Sequence, residues 1–223
     1  LRKNSQSTKT ANYFKGRLLE KGISDLNLFD LGENSLPIWE PGMWKDESPI
    51  KSFWKSYSNG LLDSDGYIIF CPEYSGMASP ALKNMFLYFS AGDLAHKPGL
   101  IVTVSSGMGG SYPNSELRAS SYKNTRIVYI PDHVIVRNVE KVLNQPEPEH
   151  KDDERIRTRI DYTIGVFLEY VKALKLVRES GVIDTARRDS RTNRDRNSPA
   201  FSFMSMLSQS VPVRNPLTPV AAA

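Results

Sequence analysis

Two short apolar runs restrict the fold more than any other feature of the chain: YIIFC at residues 67–71 and LIVTV at residues 100–104. Neither alternates as a half-exposed strand would, so each reads as a strand buried on both faces. A polar loop follows each run, and a helical pattern follows each loop. PEYSGMAS leads into SPALKNMFLYFS, where Ser79 suits an N-cap and Pro80 the first helical turn. SSGMGGS leads to a helix expected over residues 115–123, and RIVYI at 126–130 is the next strand.

The flanking segments extend this pattern. Residues 5–21 place Ala11, Phe14 and Leu18 on one helical face, with Gly22 where a C-terminal cap belongs. DLNLFDL alternates as a strand over 25–31, a Pro- and Trp-containing loop runs to about Pro49, and a second helix is expected over 50–62. A long helix opens with Asp152, Asp153 and Glu154 and closes near Lys175 and Arg178, matching the helix dipole, with Gly181 as its stop. Its residues Ile156, Ile160, Ile164, Phe167, Val171 and Leu174 keep helical spacing, so it should cover a sheet. Strands alternating with helices predict an α/β domain over 1–184, with a mostly parallel sheet and helices on both faces. Residues 185–223 are basic, then Ser/Pro-rich, and read as a disordered tail outside the core.

Composition narrows the class without naming a function. The chain has 223 residues, 39% hydrophobic and 24% charged, which suits one globular domain with extra segments. A net charge of +4 is too mild to imply nucleic acid by itself. No apolar run approaches the roughly 18–20 residues that cross a bilayer. The lone cysteine, Cys71, ends an apolar strand and reads as a small buried residue, and its solitude favours a reducing, cytoplasmic compartment. His96, His133 and His150 are scattered and show no metal-ligand spacing, so no metal site is expected.

In open parallel sheets, ligands bind outside the carboxyl ends of the strands, beside helix N-termini with free N–H groups. Three polar loops fall there: LRKNSQST, PEYSGMAS and SSGMGGS. The first suits a phosphate monoester, although by itself it reads sooner as ordinary N-capping by Ser5 or Ser7. It is not a Walker loop, and no GxGxxG is present, so nucleoside triphosphates and Rossmann dinucleotides lose support. The other two loops could hold a planar ring between backbone and aromatic surfaces. A hydrolase is unsupported, because SSGMGGS lacks a GxSxG context.

PEYSGMASPALKNMF resembles the PEYN-x-x-x-P-x-x-LKN segment of the NADPH-dependent FMN reductase family, flavodoxin-like enzymes that include quinone and chromate reductases. LRKNSQS is similar to the family's phosphate loop, G-S-x-R-x-x-S-x-N, and SSGMGG to its glycine-rich flavin loop, with order and intervals agreeing over roughly residues 1–143. The resemblance implies a flavodoxin-like, doubly wound, five-stranded parallel sheet of order 2-1-3-4-5. It implies FMN phosphate held by Arg2, Ser5 and Ser7 with Gln6 as a helper. It places the isoalloxazine ring against Pro72, Glu73, Tyr74, Ser75 and Gly76, with Ser105, Ser106, Gly107, Met108, Gly109 and Gly110 on another side.

Two departures accompany it. Ser75 stands where the family commonly has Asn, and the family's first strand is expected before Leu1, leaving the strand at 25–31 without a neighbour. The expected function is an FMN-dependent NAD(P)H oxidoreductase. Electrons pass from NADPH or NADH through FMN to a quinone-like, metal or other small acceptor, with no side chain needed as acid or base. Homodimers or homotetramers are expected, with Met85, Phe86, Tyr88 and Phe89 either facing both sheet and partner or forming an all-round buried helix inside one domain. Two other readings compete. Arg187, Arg188, Arg191, Arg194 and Arg196 could bind nucleic acid or an acidic partner, or the domain could hold flavin without turnover.

Overall fold

The apolar runs do form the centre of a sheet, and the computed structural model describes residues 5–33, 35–90, 92–183 and 201–205. Helix α1 (Gln6–Glu20) precedes strand β1 (Leu26–Asp30), and a 3-10 turn (Pro41–Trp44) leads to α2 (Pro49–Leu62). Strand β2 (Gly66–Tyr74), the two-residue β3 (Met77–Ala78), α3 (Pro80–Tyr88) and β4 (Pro98–Val104) follow. Then come α4 (Ser111–Ser120), the single turn α5 (Tyr122–Thr125) and β5 (Val128–Val136). A 3-10 turn (Val139–Lys141), α6 (Lys151–Glu179) and β6 (Phe201–Ser205) complete the order.

The main sheet runs β1-β6-β2-β4-β5 with every neighbouring pair parallel, and β3 pairs antiparallel with β2 alone. This is the 2-1-3-4-5 pattern, with β6 in the position of the first strand. All seven residues of β4 are buried, as are the first seven of β2, which explains why those runs lack alternation.

Two apolar layers sandwich the sheet. On one face Ala11, Phe14 and Leu18 of α1 meet Ile160, Ile164, Phe167 and Val171 of α6 over Ile68, Phe70, Leu100 and Val102. On the other face α2, α3 and α4 bring Trp54, Leu82, Met85 and Leu117 over Tyr67, Ile69 and Ile101. Cys71 is wholly buried there, and burial pushes its thiol up to about 12.

Three expectations change. The fourth helix begins at Ser111, not 115, because Gly110 takes the left-handed conformation (φ +100°) and caps it. Strand β5 continues through Pro131, which is tolerable because β5 is an edge strand and Pro131 is exposed. The third change concerns the carboxyl-terminal segment.

Residues 201–205 lie inside the sheet and not in a tail outside the core. Strand β6 pairs in register with both Leu26–Asp30 and Gly66–Ile69, so β1 has a neighbour after all. Phe201 and Phe203 enter the α1/α6 layer, where Phe203 stacks on Phe70 with centroids 5.9 Å apart. Met204 enters the opposite layer, and the Ser202 hydroxyl meets that of Ser64 at 2.6 Å. Alternate side chains thus serve opposite faces, a pattern of five residues that surrounding serines obscure. The five arginines at 187–196 lie outside the described residues.

The side chains expected to serve a partner are also placed differently. Met85, Phe86, Tyr88 and Phe89 are all covered within this chain, where Trp54 packs against Tyr88 and Phe89. They supply no argument for a second subunit.

Candidate functional site

The carboxyl ends of β2 and β4 meet the amino end of α1 at one rim of the sheet, and each loop there has a local reason for its shape. Strand β2 continues to Tyr74 and turns back through Ser75 (φ +51°) and Gly76 (φ +76°) into β3. Positive φ at both central residues matches a type I′ hairpin, whose twist suits the strands it joins. Pro72 sits within β2 opposite Val104 and is buried, three residues beyond Ile69, the last that β6 pairs among the described residues, so no described ladder bond to β6 needs its N–H.

Glu73 does not extend into solvent. Its Oε2 accepts from the Gly110 N–H at 2.8 Å and from the Ser105 hydroxyl at 3.3 Å, tying the hairpin to the glycine-rich loop. A Cβ on Gly109 would lie 1.8 Å from the same Oε2, so that glycine makes room for the carboxylate. A Cβ on Gly110 would lie 2.4 Å from Cγ2 of Ile135. Glu116 of α4 anchors the hairpin from outside, accepting from the Ala78 N–H at 2.6 Å and from Lys83 at 2.5 Å. The Lys83 ammonium, with the Ala78 N–H, holds the Glu116 carboxyl below its usual range.

The remaining links join the glycine-rich loop to α1. Asn138 N–H donates to Gly107 O at 2.9 Å, and Val139 N–H to Ser105 O at 3.2 Å. Lys9 of α1 then donates to the carbonyls of Val139 (2.5 Å) and Val142 (2.8 Å). Arg137 holds the Met108 carbonyl at 2.7 Å. The hairpin, the glycine-rich loop and helix α1 are therefore connected through a series of hydrogen bonds.

Of the residues expected to hold a ligand, Ser5 is the N-cap of α1, accepting from Thr8 N at 3.1 Å. Ser7 is buried, and Gln6 keeps a buried Oε1 without a hydrogen-bond partner among the described residues. Arg2 lies outside the described residues. Tyr74, Ser75, Gly76, Ser106 and Met108 are exposed at the rim. The Gly107 N–H is used by Ser105 Oγ and the Gly110 N–H by Glu73, whereas the N–H groups of Met108 and Gly109 have no hydrogen-bond partner among the described residues. Tyr112 was not expected here, yet its ring edge lies 3.8 Å from where a Cβ of Gly76 would be. Arg137 was not expected either, because nothing in VIVRN marks a side chain that reaches back to the preceding loop.

Comparison with known proteins places this chain in a family. The family model described as NADPH-dependent FMN reductase matches residues 1–141. The chain is 31% identical over 121 residues to an FMN-dependent NADPH-azoreductase of Staphylococcus saprophyticus, covering 51% of this chain and 61% of that one. It is 31% identical over 111 residues to an NADPH azoreductase of a Bacillus species, covering 49% of this chain and 55% of that one. The match thus spans somewhat over half the length of these curated relatives.

Among solved structures, the flavoenzyme NAD(P)H:(acceptor) oxidoreductase FerB of Paracoccus denitrificans superposes with a TM-score of 0.61 at 17% identity, covering 78% of this chain and 93% of that one. An NADH:FMN oxidoreductase, EMOB, in its apo form, gives 0.51 at 16% identity, covering 79% and 84%. These two likenesses establish the flavodoxin-like fold, and the sequence match establishes the rest: the chain belongs to the NADPH-dependent FMN reductase family.

Proposed function

We propose that this chain is an FMN-dependent NAD(P)H oxidoreductase that delivers electrons to a small-molecule acceptor of quinone-like, azo or metal type. The observation that carries the reading is the hydrogen-bonded series joining α1, the Glu73–Gly76 hairpin and the Ser105–Gly110 loop, which makes one preorganised rim from three segments.

The residues present suit the group. At the amino end of α1, Ser5, Ser7 and Gln6, with Arg2 before them in the sequence, would hold the phosphate of FMN, and Gln6 Oε1, buried without a partner among the described residues, is a polar group there to be satisfied. The hairpin residues Glu73, Tyr74, Ser75 and Gly76 would lie along the ring, beyond Pro72, with Ser105 to Gly110 on its other side. Bound FMN would supply the redox chemistry, accepting hydride from a nicotinamide and passing electrons onward.

The chain's own part is placement and electrostatics. Glu73 fixes the separation of the two ring-facing loops, and Arg137 fixes the Met108 carbonyl so that the N–H groups of Met108 and Gly109 keep their direction. Preoriented N–H dipoles stabilise negative charge without reorganisation. Tyr74, Met77, Met108 and Tyr112 expose aromatic and thioether surface at the rim, a setting for a planar acceptor. The reading extends to a cytoplasmic homodimer or homotetramer; support for assembly is the exposed apolar surface of Leu87, Met77 and Tyr122, and solution mass is its check.

Purified protein reconstituted with FMN should show a flavin spectrum, release FMN on heating and oxidise NADPH with a quinone or azo acceptor. Release of FAD, or no flavin retained after reconstitution, would count against the reading; flavin retained without NADPH oxidation would favour a binding scaffold.

A further inference from the structure

A cleft of about 640 Å³ opens behind the glycine-rich loop, between the edge of β5 and the first turns of α6. Its volume falls in the range of small-molecule sites. Met108 and Ile135 are part of its lining, and Ile135 is the side chain against which Gly110 is packed, so the cleft shares a wall with the candidate flavin rim.

The charge in this cleft is unbalanced. Arg137, Lys141, Arg155 and Arg159 line it, against a single acid, Asp152. Arg159 is paired with Asp132 at 2.7 Å, whereas Arg137, Lys141 and Arg155 make no ion pair with any described residue. Cations elsewhere around the rim are already engaged: Lys9 by carbonyls, Lys83 by Glu116 and Arg118 by the carbonyls of Ile130 and Pro131. His150 is also occupied, its Nδ1 accepting from Asp153 N and its Nε2 facing Lys141 O. His133 also lines the cleft.

NADPH differs from NADH by one phosphate monoester on the adenosine ribose. A protein that tells them apart does so through cations placed to meet that group. We propose that this cleft seats the 2′-phosphate of NADPH, with Lys141 and Arg155 as the specificity-determining residues. The assignment rests on the flavin-reductase reading, under which NADPH would bind at this rim. Lys141 ends the 3-10 turn after β5 and Arg155 stands on the exposed side of α6, so the two elements that bound the cleft each supply a cation. Arg137 is already engaged by the Met108 carbonyl and the Ser111 hydroxyl.

The test uses the full chain and compares binding of 2′,5′-ADP with that of 5′-ADP by titration calorimetry, alongside steady-state rates with NADPH and NADH. The unsubstituted protein should prefer 2′,5′-ADP, and Lys141→Ala combined with Arg155→Ala should abolish the preference. The same variant should raise KM for NADPH by about ten- to a hundredfold, as expected for charge-assisted bonds, with NADH turnover moving less than twofold.

A preference that persists in the variant, or none in the unsubstituted protein, would overturn the assignment. Inorganic phosphate binding as tightly as 2′,5′-ADP would overturn it in favour of a general anion site. Failure to retain FMN would sink the flavin-reductase reading instead, while the calorimetric comparison still decides the cleft.

Discussion

Gly109 and Glu73 constrain each other through a single contact. The carboxylate occupies the space that any side chain at 109 would need, and it satisfies the Gly110 N–H from there. Gly109→Ala should therefore displace Glu73 and cost roughly 1.5–3 kcal/mol, the range for lost hydrogen bonds to a charged group. In a Glu73→Ala background the same substitution has nothing to displace and should cost under about 0.5 kcal/mol, a non-additivity that a double-mutant cycle in denaturant reads directly. Additive costs would show that the two positions are independent. FMN affinity should fall in either single variant as the loops lose their spacing.

The glycines themselves were legible in the sequence as a flavin-loop pattern, but the reason for one of them was not. It lies 36 positions upstream, in a side chain whose direction is set by the fold. Ser75 shows the same limit. Set against the family pattern it looks like a change in hydrogen-bonding reach, whereas the structure shows a left-handed backbone position, where Asn is the easier residue.

Among the elements, the buried strands and long amphipathic helices were readable because one period dominates each of them. The acidic start of α6 was readable only in part. Asp152 and Glu154 are exposed, as a helix dipole alone would require, but Asp153 is fully buried. Its carboxylate accepts from Leu143 N at 2.8 Å and Glu149 N at 3.1 Å and faces Arg157 at 3.1 Å, so it closes the loop between β5 and α6.

Burial alone would raise the Asp153 carboxyl, but the bonds from Arg157, Leu143 and Glu149 outweigh it and hold it below the ordinary value. A carboxyl lowered in the folded state contributes its full stability above the unfolded value, about 3.9, and loses it as pH falls through the folded value. Asp153→Asn should thus destabilise the protein by about 3 kcal/mol at neutral pH, since Arg157 is left buried beside a neutral group. The penalty should shrink below about pH 4. Thermal midpoints measured across that range check both parts, and a pH-independent difference would refute the charge argument.

For the molecule as a whole, the strand that completes the sheet is the one the sequence hid. Composition assigned residues 185–223 to a tail because an arginine cluster without apolar period opens the segment and serines and prolines punctuate the rest, and a window that wide averages away five residues of strand. Phe203 is 1% exposed and stacks on Phe70, so Phe203→Ala should cost about 3–5 kcal/mol. That is a large part of the roughly 5–15 kcal/mol available to a domain. Chemical denaturation measures it, and a loss below about 1 kcal/mol would show that β6 contributes little to the folded sheet.

The position of β6 also sets an order in time. The ribosome makes β1, β2, β4 and β5 before it makes the strand that bridges β1 to β2. Until then the nascent chain carries two open strand edges facing a gap, each able to pair with the wrong partner. Its most central pairing joins segments far apart in sequence, so loop closure is costly and the last step of folding is slow. Cells expressing this chain should depend on chaperone capacity for its soluble yield more than its modest size would suggest.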